Sequence, residues 1–147
     1  MSNIDVLSAF NNHLTELFEA LIEMFPNDHT IKLANTAIIT LRKANPKIVL
    51  PIWKTYILDK YEENIMLGDL NYFLEKDWTS DFVEESSVKL VLEKITIVKQ
   101  TIKNLSDDDL KKTILYLQNL TKLCKLYYIN KANKANKGNK TNKKIEY

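Results

Sequence analysis

The chain has 147 residues, 45% hydrophobic and 27% charged, with a formal charge of +2, one cysteine and two glycines. That length fits one domain with enough apolar residues for a core, and no run of about 18 apolar residues exists to span a membrane. Cys124 alone excludes an intrachain disulfide or a cysteine-based metal framework, and Met1-Ser2-Asn3-Ile4-Asp5 puts no basic residue ahead of an apolar run, so no secretion signal is expected.

From the N-terminus, Val6, Leu7, Phe10, Leu14, Leu17, Phe18, Leu21, Ile22 and Phe25 recur at steps of three and four, the pattern of an amphipathic helix. Glu16, Glu19 and Glu23 fall on its polar side. Phe25-Pro26 ends it, because the residue before proline is pushed out of the α region. Asn27 or Asp28 caps a second helix with a stripe of Ile31, Ala34, Ile38 and Leu41, stopping near Ala44-Asn45-Pro46 with Arg42-Lys43 at its negative end. A third helix either opens at Pro46 and kinks at Pro51 or begins at Pro51, with Ile52, Trp53, Tyr56 and Ile57 on its apolar side.

A short helix over Glu62–Met66 is expected to close at Gly68 in a left-handed cap, and Asp69 to cap another through Leu70, Tyr72, Phe73 and Leu74. Lys76 to Glu85 has the composition of a loop. Val88, Val91, Leu92, Ile95, Val98, Ile102 and Leu105 then mark a long helix. Ser106 begins another, with Asp107, Asp108 and Asp109 in its first turn and Leu110, Ile114, Leu117, Leu120, Cys124 and Tyr128 on its stripe. The short Leu105-Ser106 connection predicts that these two helices form an antiparallel hairpin.

From Asn130 the sequence becomes a triplet repeat, NKA-NKA-NKG-NKT-NKK, with nothing apolar larger than alanine before Ile145. No burial is on offer to offset the entropy of ordering it, which predicts a disordered Asn/Lys-rich tail. The +2 chain therefore divides into a body, residues 1–129, of charge −3 and a tail, residues 130–147, of charge +5. Twenty Lys against one Arg, fifteen Asn, fifteen Ile and two Gly are also what AT-rich codons produce. The fold class expected is all-α: a single compact helical domain of five to seven helices, with a C-terminal helical hairpin and a disordered tail.

Catalytic patterns are sparse. The histidines His13 and His29 lie in different elements, neither glycine belongs to a phosphate-binding loop, and no nucleophile elbow exists. Cys124 sits on a Leu/Ile stripe, the setting of a small core residue, although Lys122 and Lys125 flank it and lysine lowers thiol pKa values. The Glu16/Glu19/Glu23 series suits a wet helix face better than an acid–base site. No enzyme activity, metal or cofactor is expected. Binding chemistry has two candidates. One is the aromatic middle, from which Trp53, Tyr56 and Trp78 are taken as partner-binding residues, for a protein partner or a second copy. The other is the tail, where Lys131, Lys134, Lys137, Lys140, Lys143 and Lys144 could neutralise phosphates without reading sequence, giving weak, nonspecific and salt-sensitive nucleic-acid binding. No membrane partner is expected.

Residues 10–78 contain Phe10-Asn11-Asn12-His13-Leu14, Met24-Phe25-Pro26-Asn27-Asp28, Arg42-Lys43-Ala44-Asn45-Pro46, Trp53-Lys54-Thr55-Tyr56, and Gly68-Asp69 followed by Phe73 and Lys76-Asp77-Trp78. As a string these resemble small uncharacterised helical proteins of large nucleocytoplasmic DNA viruses, including mimivirus-like and algal viruses. The resemblance implies a protein of the host cytoplasm or the virion and carries no enzymatic activity. It draws attention to Asn45-Pro46, Gly68-Asp69 and Lys76-Asp77-Trp78, either as interaction determinants or as caps and turns.

Overall fold

The structure is a computed structural model that describes residues 2–76 and 86–145, with side chains through Ala135 apart from Ser86. Trp78 and most of the expected 76–85 loop lie outside the described residues. All regular elements among those described are helical. Helix α1 spans Asn3–Met24. The Ser2 hydroxyl accepts the Asp5 amide at its start, and Phe25 closes it ahead of Pro26. Helix α2 spans His29–Ala44, and the Asp28 carboxylate accepts the Thr30 and Ile31 amides as its cap.

Pro46 does not open the third helix. The Asn45 side chain accepts the Lys47 amide, Ile48 N–H returns to the Asn45 carbonyl, and α3 begins at Val49. Pro51 is then the third residue of α3 (Val49–Trp53), where its missing N–H would have had no intrahelical partner. A π turn over Lys54–Leu58 joins α3 to α4 (Asp59–Met66) without a break. Lys54 Nζ bonds both oxygens of Asp59, at 2.7 and 2.8 Å, across that turn. Residues five apart do not face each other on a regular α-helix, so the ion pair belongs to the wider coil.

Short α5 spans Asn71–Glu75, α6 Ser86–Ile102 and α7 Asp107–Ile145. Ser106 caps α7 by accepting the Asp109 amide. Backbone helicity thus continues to Ile145, well into the segment expected to be a disordered tail. Lys131 to Ala135 are nevertheless exposed, so within the described side chains that segment lies outside the core, as its composition requires.

The buried hydrophobic residues from Phe10 to Cys124 pack into one cluster drawn from every helix, with Val6 apart from it. The most extensive pairing is α1 with α7, and α6 lies chiefly on α2. The α6–α7 hairpin expected from the short connection is therefore not the organising contact. Leu105-Ser106 brings two helix ends together but leaves the direction of each axis to its apolar stripe. The α1 and α7 helices run antiparallel: Asn3 Nδ2 donates to the Tyr127 carbonyl at one end, and the His13 and Tyr116 rings stand 5.0 Å apart midway. Helix α3 touches α1, α6 and α7, which places Trp53 at the centre. Arg42, near the end of α2, donates to the Asn11 carbonyl and the Thr15 hydroxyl of α1. Its burial lowers the guanidinium pKa through desolvation.

Candidate interaction surfaces

Trp53 is not a surface anchor. It is 2% exposed, its ring meets Phe10 edge-on, and its indole N–H donates to Thr121 Oγ1 at 3.4 Å. An aromatic residue so placed supplies core, and its sequence neighbourhood does not distinguish that from an interface. Tyr56 is half-buried against the core, with Lys60 Nζ 5.6 Å from its ring centroid.

The exposed apolar surface of the middle segment lies elsewhere, at the corner between α4 and α5. Leu67 is 78% exposed, Tyr72 68% and Met66 borders on exposure. The sequence places Tyr72 among many aromatics, and nothing local distinguishes it from buried Phe73. The corner between the two helices is held by specific bonds. Gly68 has φ +78°, its N–H returns to the Ile65 carbonyl, and the Asp69 N–H returns to Asn64. The Asp69 carboxylate accepts the Asn71 amide. From α7, Gln118 Nε2 donates to the Ile65 and Met66 carbonyls, at 3.1 and 3.2 Å, and so ties the end of α4 to α7. Lys125 pairs with Glu62 further along the same two helices. Of the string Gly68-Asp69, both residues act as cap and turn, and what they present is Leu67 and Tyr72.

A second surface is the groove between α1 and α7. Two adjoining hollows, of about 330 and 430 Å³, share Lys112 and Tyr116. His13, Glu16, Leu115 and Asn119 complete the first, and Ala20, Glu23, Met24 and Asp109 the second. Leu115 is 60% exposed at the edge. His13 Nδ1 lies 3.2 Å from Glu16 Oε2, while Nε2, shielded from solvent, has no hydrogen-bond partner. In the neutral ring, with Nδ1–H donating to Glu16, Nε2 is an acceptor.

Cys124 is completely buried and donates its thiol weakly to the Leu50 carbonyl at 3.6 Å. Desolvation pushes its pKa up to about 12, outweighing the opposing field of Lys54, with a smaller upward contribution from Asp59. A thiol so protonated and enclosed has neither the charge nor the access of a nucleophile. Glu16, Glu19 and Glu23 are exposed. Among the described residues, no group of three or more His, Cys, Asp or Glu converges to hold a metal, and no helix is long and apolar enough to cross a membrane. Sequence reasoning also missed Lys99, which is 3% exposed, donates to the Lys76 carbonyl and lies 5.5 Å from the Phe73 ring centroid. Of the tail lysines, Lys131 and Lys134 are exposed, and the side chains of Lys137, Lys140, Lys143 and Lys144 lie outside the described set.

No family model, curated protein or solved structure matches this chain.

Proposed function

We propose that the chain is a non-catalytic protein-interaction or structural protein of a large DNA virus, acting in the host cytoplasm or the virion and binding a protein partner through the α4–α5 corner. One observation carries the binding reading: Leu67 and Tyr72 are exposed on a turn whose backbone is held by Gly68, Asp69 and Gln118. A pre-ordered apolar pair loses little conformational freedom on binding, and aromatic side chains are favoured anchors at interface centres. The viral setting is supported by the resemblance over residues 10–78 and by the Lys-, Asn- and Ile-rich composition. Leu67→Glu and Tyr72→Glu are expected to leave the unfolding midpoint nearly unchanged and to abolish capture of a stoichiometric partner from infected-cell lysate. A partner retained at full yield by both variants would contradict the reading.

A second reading, weak nonspecific nucleic-acid binding by the tail, is favoured by the +5 segment on a −3 body. It predicts affinity for duplex DNA at low salt that falls steeply with ionic strength and disappears when the six tail lysines become glutamine. Affinity unchanged by those substitutions would remove the tail from any such role.

A further inference from the structure

The charge asymmetry has a spatial counterpart. The α1/α7 groove is lined by the carboxylates of Glu16, Glu23 and Asp109 and by one ammonium, that of Lys112, together with Tyr116 and Met24. The basic segment leaves the body at the opposite end of the same helix. About 21 Å of helix separates Tyr116 from Asn130, and the helical backbone runs on about 23 Å further to Ile145, away from the groove. A chain in this form does not reach its own groove. The groove of a second copy is not restricted in this way.

We infer that residues 130–147 of one copy dock in the α1/α7 groove of the next, so that the protein associates head to tail. Three complementarities support this occupant. The segment carries +5 and the groove lining is net acidic. Asn and Lys make up most of the segment and supply hydrogen-bond donors, which the exposed carboxylates of Glu16 and Glu23 in the groove can accept. The remaining residues of the repeat are small, chiefly Ala and Gly, so they add little bulk between its lysines and the groove. Because the two contact surfaces differ, the association is heterologous and propagates into short open chains or a closed ring, not an isologous dimer. Its driving force is largely electrostatic, so salt screens it. It uses none of the α4–α5 corner, and the two proposals stand or fall separately.

Sedimentation velocity on the full-length protein tests this. At about 0.05 M salt the sedimentation coefficient is expected to rise with concentration past that of a dimer, and at about 0.5 M to fall back to monomer. A tail variant, with Lys131, Lys134, Lys137, Lys140, Lys143 and Lys144 all changed to Gln, and a groove variant, Glu16→Gln, Glu23→Gln and Asp109→Asn, are each expected to associate at least about tenfold more weakly. Mixed in equal amounts, the two variants retain one intact tail and one intact groove between them, and a 1:1 dimer that grows no further is expected. A protein that stays monomeric at low salt overturns the inference, as does association indifferent to either set of substitutions. Monomeric protein that still captures a foreign partner through Leu67 and Tyr72 overturns it too, while leaving the proposed function intact.

Discussion

Trp53 stands edge-on to Phe10, ring centroids 5.8 Å apart at an interplanar angle of 76°. This contact joins α3 to α1 at the centre of the core, and the indole N–H reaches α7 through Thr121. Trp53→Ala is expected to destabilise the fold by about 3–5 kcal/mol, the range for emptying an aromatic core site. Trp53→Phe retains most of the ring contact and loses the N–H, so a smaller loss is expected. Urea midpoints at unchanged m-value measure both. A Trp53→Ala protein as stable as wild type would contradict the core assignment.

Arg42 bridges two groups on α1, the Asn11 carbonyl and the Thr15 hydroxyl. Lysine cannot reproduce the planar two-pronged donor. Arg42→Lys is expected to cost about 1–2 kcal/mol and Arg42→Met somewhat more, since Met also leaves the Thr15 hydroxyl short of a donor. Chemical denaturation of the two variants should rank them in that order.

Gly68 is the one residue with positive φ among those described, and open space surrounds the position of a Cβ there. The cost of Gly68→Ala is therefore backbone strain without a steric clash, about 1 kcal/mol. Thermal unfolding should show a fall of a few degrees, and Gly68→Asn should recover part of it, because asparagine tolerates this conformation better than alanine.

Cys124 gives the stability a pH dependence. Its thiol pKa is raised from an ordinary 9.0 to about 12 in the folded state. Between those values the unfolded chain loses the proton and the folded chain keeps it, so stability is intact below pH 9 and declines as pH rises toward 12. Tyr128, also raised, chiefly by desolvation, adds to the decline above pH 10. Cys124→Ala should unfold more easily at neutral pH because of the cavity, yet show a shallower alkaline slope. A thiol reagent should label native protein slowly and unfolded protein at once. Rapid labelling of the native state would contradict the burial.

What the sequence made legible was local. A cap at Asn27 or Asp28, which Asp28 supplies, the Ser106 cap, the stop at Phe25-Pro26 and the left-handed Gly68 all depend on residues within a turn of one another. Most of the unforeseen features are long-range. The π turn at Lys54–Leu58 follows no residue pattern, α7 packs on α1 in preference to its chain neighbour α6, and Lys99 is buried although its composition class favours solvent. Trp53 as a binding residue fails for the same reason. Trp53 and Tyr72 carry the same aromatic signal, and only packing sends the first inward and the second out. Asn11 and Asn45-Pro46, prominent in the resembling string, are brackets: Asn11 Nδ2 donates to the Pro46 carbonyl at 2.9 Å.

Whether the α4–α5 corner meets a protein partner is measured most directly by site-specific photo-crosslinking, with p-benzoylphenylalanine placed at Tyr72 and, as a control, at exposed Thr55. One discrete adduct is expected from position 72 in infected cells and none from position 55. No adduct at 72, or the same adducts from both positions, would contradict a partner at this corner.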